Sequence, residues 1–321
     1  MAVKTLKSSG GDYTLMSTYE AALPATLTEQ ETLECYDFSC SDSVGFSGIT
    51  TSATNYIRIY TPAGQGHNGT SRAVSGSGFR LTGTDGTGVF RNGVNHIRLE
   101  GLEIEATSTG KAMALSSVSA GSDVRVDKCI IHDGLTGTGY TVTATGTNLA
   151  LTWRNNIVYG SQRSWDTRGA TSVTSENNIF WRHAAQLGLV STAELTCKNT
   201  YSGHTGAAAE DFWTGGAAPS GNNNASSDTS QATDYTSGVS SVAGSSVFTS
   251  VTAGSENFTL VAGTNALVDA GETLGSVTDD IIGTARPQGS VYDIGAFERI
   301  AAGGFKPYWA LNRSQILGQT L

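Results

Sequence analysis

Residues 162–168 carry the side chains whose types and spacing best suit carbohydrate chemistry. They read Gln-Arg-Ser-Trp-Asp-Thr-Arg. Glycoside hydrolysis uses two carboxyl groups about 5–10 Å apart, and Asp166 is the most suggestive acid of the chain. Trp165 could stack on a sugar ring, and Arg163 and Arg168 could bind an anionic sugar. An Asp between two Arg residues is also typical of a simple ion pair, so both interpretations stay open.

A second group of charged residues could cleave an acidic polysaccharide if its carboxylates bound Ca²⁺ and a nearby Arg or Lys acted as the base. Ca²⁺ takes about six to eight oxygen ligands. The acids available are Asp133 and Glu176, together with Asp127, and Arg154 lies between two of them when the repeats are aligned. A ladder of alternating charges is more simply a surface ion network. We therefore predict no metal and no cofactor.

Aromatic residues recur at one position of the aligned repeats, where Tyr159 and Trp181 follow His132. An exposed column of rings could bind a glycan. Stacked rings are equally an ordinary way to stabilise adjacent strands. The tail beyond residue 299 is also aromatic and apolar, and such a surface is costly to leave in water. We expect the tail to dock on a partner subunit or larger assembly through these residues: Phe305, Tyr308, Trp309, Leu311, Ile316 and Leu317.

Composition excludes several classes of protein. The formal net charge is −9, and no basic face of the kind that binds nucleic acid is visible. The four cysteines lack zinc-site spacing, although Cys35 and Cys40 could form a local disulfide. No secretory leader and no run of apolar residues long enough to cross a membrane is visible. We expect no nucleic acid or membrane partner.

The elements that must position these side chains are strands, because pairs of apolar residues two positions apart recur about every two dozen residues. The steps range from 18 to 27 residues. Such a period indicates stacked supersecondary units. The pairs are Leu33/Cys35, Ile57/Ile59, Phe79/Leu81, Ile97/Leu99, Val124/Val126, Leu151/Trp153 and Val173/Ser175, with a weaker match at Thr196.

The repeat predicts an all-β fold, a right-handed parallel β-helix in which each coil buries the apolar face of the next. Aligning the repeats places Asn156, Asn178 and Asn199 in one column at a bend, where stacked asparagines can hydrogen-bond to one another. A Greek-key sandwich explains the short strands but not the matching register.

The remaining organisation is predicted from local patterns. Residues 12–24 read as a helix, with Ser17 and Glu20 as a capping box. We expect an N-terminal cap over 1–30, coils over 31–205, a low-complexity excursion over 206–245, C-terminal strands and a cap over 246–298, and a docking tail over 299–321.

Several segments resemble right-handed parallel β-helix proteins of bacteriophages and bacteria. The N-terminal cap and an early coil are similar at residues 9–14 and 56–62. The C-terminal end is similar at residues 257–260, 265–271, 280–287 and 293–298. Residues 303–313 are similar to the endings of phage virion proteins. The resemblance is specific for fold and poor for activity, since this fold hosts lyases, hydrolases, adhesins and inert rods.

Three observations together favour a non-enzymatic virion structural protein, a capsid decoration or fibre-like component assembled in the host cytoplasm: the fold suits an extracellular rod although no export signal is visible, convincing catalytic clusters are few, and the C-terminal tail is aromatic. The resemblance implies a homotrimer, and we expect contacts with other virion proteins, such as the major capsid protein. A host-surface glycan is a further expected partner. The alternative is a tail-spike-like depolymerase, a polysaccharide lyase or glycoside hydrolase, and a third hypothesis is a bacterial surface adhesin.

Overall fold

A computed structural model describes residues 2–108, 110–116, 119–133, 140–146, 148–160, 163–167, 170–183, 189–190, 194–205, 210–213, 220–230 and 237–300. The tail residues Phe305, Tyr308, Trp309, Leu311, Ile316 and Leu317 lie outside these ranges. No helix in the described ranges is long and apolar enough to cross a membrane.

The chain coils into a right-handed parallel β-helix with three parallel sheets, as the repeat predicts. The eight-stranded sheet contains, in spatial order, β1 (Ala2–Leu6), β2 (Glu31–Cys35), β5 (Ile57–Tyr60), β8 (His96–Glu100), β11 (Asp123–Asp127), β14 (Ala150–Arg154), β17 (Ser172–Glu176) and β20 (Glu194–Lys198). The nine-stranded sheet contains β3 (Ser39–Ser41), β6 (Arg80–Gly83), β9 (Glu103–Ala106), β12 (Ile130–Asp133), β15 (Ile157–Gly160), β18 (Ile179–Arg182), β21 (Tyr201–His204), β23 (Asn224–Ser226) and β24 (Gly238–Val239). The seven-stranded sheet contains β4 (Val44–Phe46), β7 (Phe90–Asn92), β10 (Met113–Leu115), β13 (Tyr140–Ala144), β16 (Arg163–Asp166), β19 (Leu189–Val190) and β22 (Phe212–Trp213).

The predicted alternating pairs point into the coil in the eight-stranded sheet, with one exception. Leu81 belongs to β6 in the nine-stranded sheet, where it pairs with Cys40 and Ile104. Strand β5 therefore pairs directly with β8, and Ile59 lies opposite Leu99. The predicted steps of 22 residues (Ile59 to Leu81) and 18 residues (Leu81 to Leu99) therefore belong to a single long coil. Its loop, residues 61–79, connects the eight-stranded sheet to the nine-stranded sheet. The strand pattern was right, but one pair was assigned to the wrong sheet.

The predicted asparagine column is correct for two of its three members. Asn156 donates from its main chain to Asn178 Oδ1 at 2.8 Å, and Asn178 Nδ2 donates to the Trp153 carbonyl at 2.8 Å. Asn199 lies one position earlier, because Cys197 rather than Thr196 pairs with Ser175. Thr200 takes the expected place, and its main chain donates to Asn224 Oδ1 at 3.0 Å.

The residue before this column adopts a left-handed backbone conformation in successive coils. Its φ is 56° at Lys128, 50° at Asn155, 55° at Asn177, 51° at Asn199 and 57° at Asn223. Asparagine tolerates this conformation better than most residues. The bend therefore uses two adjacent positions, an outer left-handed one and an inner one that forms the hydrogen-bonded ladder.

The N-terminal segment covers the first coil with a strand and a short helix. Strand β1 pairs in parallel with β2, and helix α1 spans Met16–Ala21, with Met16 and Tyr19 buried. The predicted capping box is wrong. The helix begins after Leu15, whose side chain makes no cap, and the Ser17 amide in its first turn donates instead to the Asp42 carboxylate at 2.7 Å. Ser17 thus lies inside the helix, so it cannot cap it.

The coils continue beyond residue 205 into β22, β23 and β24, and the chain then turns back along their outer surface. This returning lateral segment, residues 244–298, contains helix α3 (Gly244–Val247) and the antiparallel strands β25 (Phe248–Ser250) and β26 (Asn257–Leu260). Another short helix, α2 (Arg72–Ser75), lies in the loop that precedes β6. The expected C-terminal cap thus packs on the side of the coils.

The described residues form two large hydrophobic cores and a small third cluster of Leu274, Val277 and Tyr292. One fills the coil interior and includes Trp153, Trp165 and Phe180. The other lies between the outer face of the nine-stranded sheet and the lateral segment, where Ile157 and Ile179 pack with residues such as Phe258. A lateral segment is therefore an integral part of the folded unit.

All four cysteines are buried as free thiols. Cys35 and Cys40 face the interior from different strands, and the possible local disulfide between them does not form. Burial raises the pKa of the Cys40 thiol to about 11 and that of Cys35 well above its ordinary value.

Candidate functional site

The first predicted site does not form an exposed loop. Residues Arg163–Asp166 are strand β16, and Trp165 is fully buried, with its ring 5.0 Å from that of Phe180 and 5.3 Å from that of Trp153. A ring in this position cannot stack on a sugar, so the binding role predicted for Trp165 is wrong. Asp166 is only 8% exposed. The Arg163 side chain and the whole of Arg168 lie outside the described residues.

The predicted aromatic column is real but is covered. His132 pairs with Tyr159 and Tyr159 with Trp181, and the His132 and Tyr159 rings are stacked 4.7 Å apart. Phe258 of the lateral segment packs 5.7 Å from Tyr159, and both Tyr159 and Trp181 are buried. The column therefore stabilises the sheet beneath the lateral segment, and the predicted glycan contact at these two rings is wrong.

Asp133 and Glu176 lie in different sheets and contact different residues, so they do not form a shared acidic site. Asp133 is buried in β12 and accepts a hydrogen bond from Thr141 at 3.0 Å. Glu176 accepts hydrogen bonds from Arg154 at 2.8 Å and from Ser276 at 2.9 Å. Within the described ranges, no three His, Cys, Asp or Glu side chains converge in a way that could hold a metal ion.

A buried polar group that the sequence did not reveal lies beneath helix α2. Glu103 Oε1 accepts hydrogen bonds from Ser71 at 2.5 Å and from His132 Nε2 at 2.9 Å, and Oε2 accepts from the Arg72 main chain at 2.6 Å. Burial alone would raise the pKa of Glu103, but these hydrogen bonds lower it below the ordinary value. Ser71 and His132 share one carboxylate, so the group anchors the loop and lacks the serial arrangement of a nucleophilic triad.

The polar face of the eight-stranded sheet presents its outward residues in register. The last outward column runs Glu34, Tyr60, Glu100, Asp127, Arg154, Glu176 and Lys198. A neighbouring column contains Arg58, Arg98 and Arg125. Adjacent members lie one strand spacing apart, about 4.8 Å. The expected alignment of Asp127, Arg154 and Glu176 is thereby confirmed.

A cleft lies beside this outward column. It has a volume of about 750 Å³, with one wall from residues 61–68 and another from Ile281–Gly283. Tyr60 and Glu100 form part of its floor. A smaller cleft of about 230 Å³ shares Glu100 and Lys128 with it and extends past Asp127 to Arg154. Together they form one groove across four coils, which we call the bend groove.

The floor of the bend groove is held in place by hydrogen bonds and a cation–π contact. Tyr60 donates its hydroxyl to Glu34 at 2.5 Å, and this hydrogen bond raises the pKa of the Tyr60 phenol. The Arg58 guanidinium lies 4.1 Å from the centre of the Tyr60 ring. Arg58 also donates to both carboxylate oxygens of Glu100, at 3.0 and 2.5 Å. A fixed aromatic ring beside polar groups suits the recognition of a sugar.

Asp127 is the most perturbed carboxyl group of the groove. Burial raises its pKa to about 6, while nearby Arg154 opposes the shift and nearby Glu100 adds to it. Its Oδ1 atom is buried and makes no hydrogen bond to any described residue. Asp127 was one of the acids considered in the sequence, but Tyr60 and Glu100 were missed. The signal that could have found them is the register of polar residues between the apolar pairs.

No protein-family model matches the chain, and no curated protein matches it. Among solved structures, the crystal structure of pectate lyase Pel9A is similar, with a TM-score of 0.33 and 13% sequence identity over 92% of this chain and 96% of that chain. A similarity at this level carries no inference about activity or substrate.

Proposed function

We propose that the protein is a non-enzymatic structural component of a bacteriophage particle that binds a surface glycan in the bend groove. The observation that carries the binding role is the fixed Tyr60 ring beside polar groups on the floor of a long groove. Pockets that bind small ligands combine apolar or aromatic surface with a few placed polar groups. The groove spans four adjacent strands, or three strand spacings of about 4.8 Å each, which suits a segment of a linear chain.

The non-enzymatic role is supported by what the acidic side chains already do. Glu100 accepts two hydrogen bonds from Arg58, and Glu176 accepts from Arg154 and Ser276. Asp133 lies buried beside Thr141. These carboxylates fix the sheet and its loops, and a general acid or base must reach a substrate proton.

The virion role rests on the resemblance of residues 303–313 to the endings of phage virion proteins, together with the extended β-helix. In this proposal the protein forms a homotrimer, and the aromatic tail docks on another virion protein such as the major capsid protein. Deleting residues 303–321 is expected to abolish binding to purified capsids and to leave the coils folded. Unchanged capsid binding and oligomer mass would contradict the docking role of the tail.

A second candidate function, a polysaccharide depolymerase, is favoured by one observation. Asp127 has a pKa raised to about 6 and pairs in register with Glu100 on the floor of the groove. A carboxyl group whose pKa is raised towards neutral pH beside a second carboxylate is the kind of pair that glycoside hydrolysis requires.

One experiment separates the two candidates. Purified protein is incubated with host lipopolysaccharide or capsule, and both retention on the immobilised glycan and release of reducing ends or unsaturated uronates are measured. We expect retention without cleavage, and we expect Tyr60→Ala to weaken retention. Tyr56→Ala is the matched control, because Tyr56 immediately precedes β5 and lies outside the groove lining. Cleavage that Asp127→Asn abolishes would replace the binding role with the enzymatic one.

A further inference from the structure

The bend groove has a specific charge arrangement that bears on its ligand. Three cationic side chains line it: Arg58, Lys128 and Arg154. Each has a carboxylate partner. Arg58 pairs with Glu100 at 2.5 Å, Lys128 with Asp279 at 2.5 Å and Arg154 with Glu176 at 2.8 Å. The cationic charge of the groove is therefore already neutralised by the protein.

The remaining titratable side chains of the lining add no positive charge. His67 Nε2 donates a hydrogen bond to the Lys128 carbonyl at 2.7 Å, and burial lowers the pKa of His67, which favours the neutral ring. Asp37 is paired with Arg72 outside the lining. Asp127 is the one lining carboxyl group without an ion pair inside 4 Å among the described residues. The groove as a whole is neutral to acidic.

An anionic glycan would meet this arrangement at a disadvantage. Its carboxylates would have to displace Glu100, Asp279 or Glu176 from an existing cation, or lie beside Asp127. Juxtaposed like charges oppose binding and select against the wrong partner. A neutral glycan avoids this conflict, because its hydroxyl groups can exchange hydrogen bonds with paired ions and its apolar ring face can pack on Tyr60.

The apolar part of the groove wall fits the same ligand. Pro62 and Ala63 line one side, and Ile282, which is 51% exposed, lines the other. Sugar rings without charged substituents present C–H faces to such surfaces. The groove thus offers aromatic and aliphatic contacts together with neutralised polar groups.

We propose that the ligand of the bend groove is a neutral glycan, built from sugars without carboxylate groups. This inference rests on the glycan-binding function proposed above and specifies the class of that ligand. A neutral-glycan site can be distinguished from an acidic-polysaccharide site by measurement, because negative charge on the ligand should weaken binding to it.

The test compares matched oligosaccharides that differ only in oxidation at C6. Trisaccharides of glucose, galactose and mannose and the corresponding uronic acids are titrated into the full-length protein by calorimetry in low salt. At least one neutral trisaccharide is expected to bind at least about tenfold more tightly than its uronate counterpart. Tyr60→Ala should weaken the binding of that neutral sugar, whereas Tyr56→Ala should not.

A charge variant provides the converse measurement. Asp279→Asn releases Lys128 from its ion pair, so the uronate should gain affinity while the neutral sugar keeps its own. Thr278→Ala is a control on the same wall, because the Thr278 side chain is exposed and both the Lys128–Asp279 and the Arg154–Glu176 ion pairs stay intact. Uronates that bind the wild type as tightly as neutral sugars, or more tightly, would overturn the neutral-glycan inference and leave glycan binding standing. Absence of binding by every sugar and by host glycan would overturn the proposed function itself.

Discussion

The side chain of Asn199 makes two hydrogen bonds to the main chain of Glu272, 73 residues away. Nδ2 donates to the Glu272 carbonyl at 2.8 Å, and Oδ1 accepts from the Glu272 amide at 2.8 Å. The Asn199 carbonyl also accepts a hydrogen bond from Gly295 at 2.8 Å. One residue thus joins two parts of the lateral segment, at Glu272 and at Gly295, to the bend of the coils.

Neighbouring residues of the left-handed column make similar contacts. Asn155 Nδ2 donates to the Asp279 carbonyl at 2.9 Å, Asn223 Nδ2 to the Ala270 carbonyl at 2.8 Å and Asn177 Nδ2 to the Asp293 carbonyl at 3.3 Å. Lys128 contributes its ion pair with Asp279. The bend therefore combines an unusual backbone conformation with a row of donors that holds the lateral segment.

We predict that Asn199→Gly lowers the free energy of unfolding by about 1–3 kcal/mol, because the partly buried main-chain groups of Glu272 lose their partners. Asn199→Ala should cost about 1–2 kcal/mol more, since alanine is strained at a φ of 51° and glycine is not. Urea unfolding followed by circular dichroism measures both values. Equal stability of the two variants would contradict the strain argument, and wild-type stability of both would contradict the fastening role.

The raised pKa of Asp127 predicts a pH dependence of stability with a definite sign. The folded protein binds this proton more tightly than the unfolded chain, in which an Asp has a pKa of about 3.9. The stabilisation from the protonated group is therefore lost as pH rises from about 4 towards about 6, and it amounts to at most about 3 kcal/mol.

Asp127→Asn should remove this dependence while other buried acids keep theirs. The measurement is the difference in unfolding free energy between wild type and variant at several pH values from 4 to 7. The wild type should lose stability relative to the variant as pH rises to about 6, and the difference in unfolding free energy should then stay constant. Parallel curves over the whole range would show that Asp127 has an ordinary pKa.

Much of the coil architecture could be predicted from the sequence, because the interior imposes a strict pattern. Leu151 and Trp153 point inward between polar neighbours, and the same alternation recurs in each coil. The pattern failed where a loop of uncertain length intervened, as between Ile59 and Leu81. A β-strand in any of the three sheets shows the same alternation, so the sequence could not tell which sheet contained Leu81.

The candidate site was harder to predict, since it depends on what covers each surface. Tyr159 and Tyr60 are both aromatic residues of short strands, and nothing local distinguishes them. Tyr159 is buried because Phe258, about a hundred residues later, packs against it, whereas Tyr60 lines a groove. Adjacent asparagines, as at Asn155 and Asn156, did mark the bend, but their division into outer and inner positions required the three-dimensional register.

We predict that the four thiols are unreactive in the folded protein and become reactive together on unfolding. All four are buried as free thiols, and burial raises the pKa values of Cys35, Cys40 and Cys129. A thiol reacts as its thiolate, so both effects slow modification. Titration with a disulfide reagent at pH 8 should find almost no fast thiol without denaturant and four with it. Only two thiols in denaturant, restored to four by reduction, would instead indicate a disulfide.

The burial of Trp165 predicts a stability effect that is separate from any effect on glycan binding. Trp165→Ala removes a large side chain packed against Phe180 and Trp153, and it should cost about 3–5 kcal/mol. Trp165→Phe keeps a ring in the same place and should cost less, about 1–2 kcal/mol. Because Trp165 does not line the bend groove, the folded Trp165→Phe protein should bind glycan with wild-type affinity. A Trp165→Phe variant of unchanged stability that no longer binds glycan would instead place this ring at a ligand-binding surface.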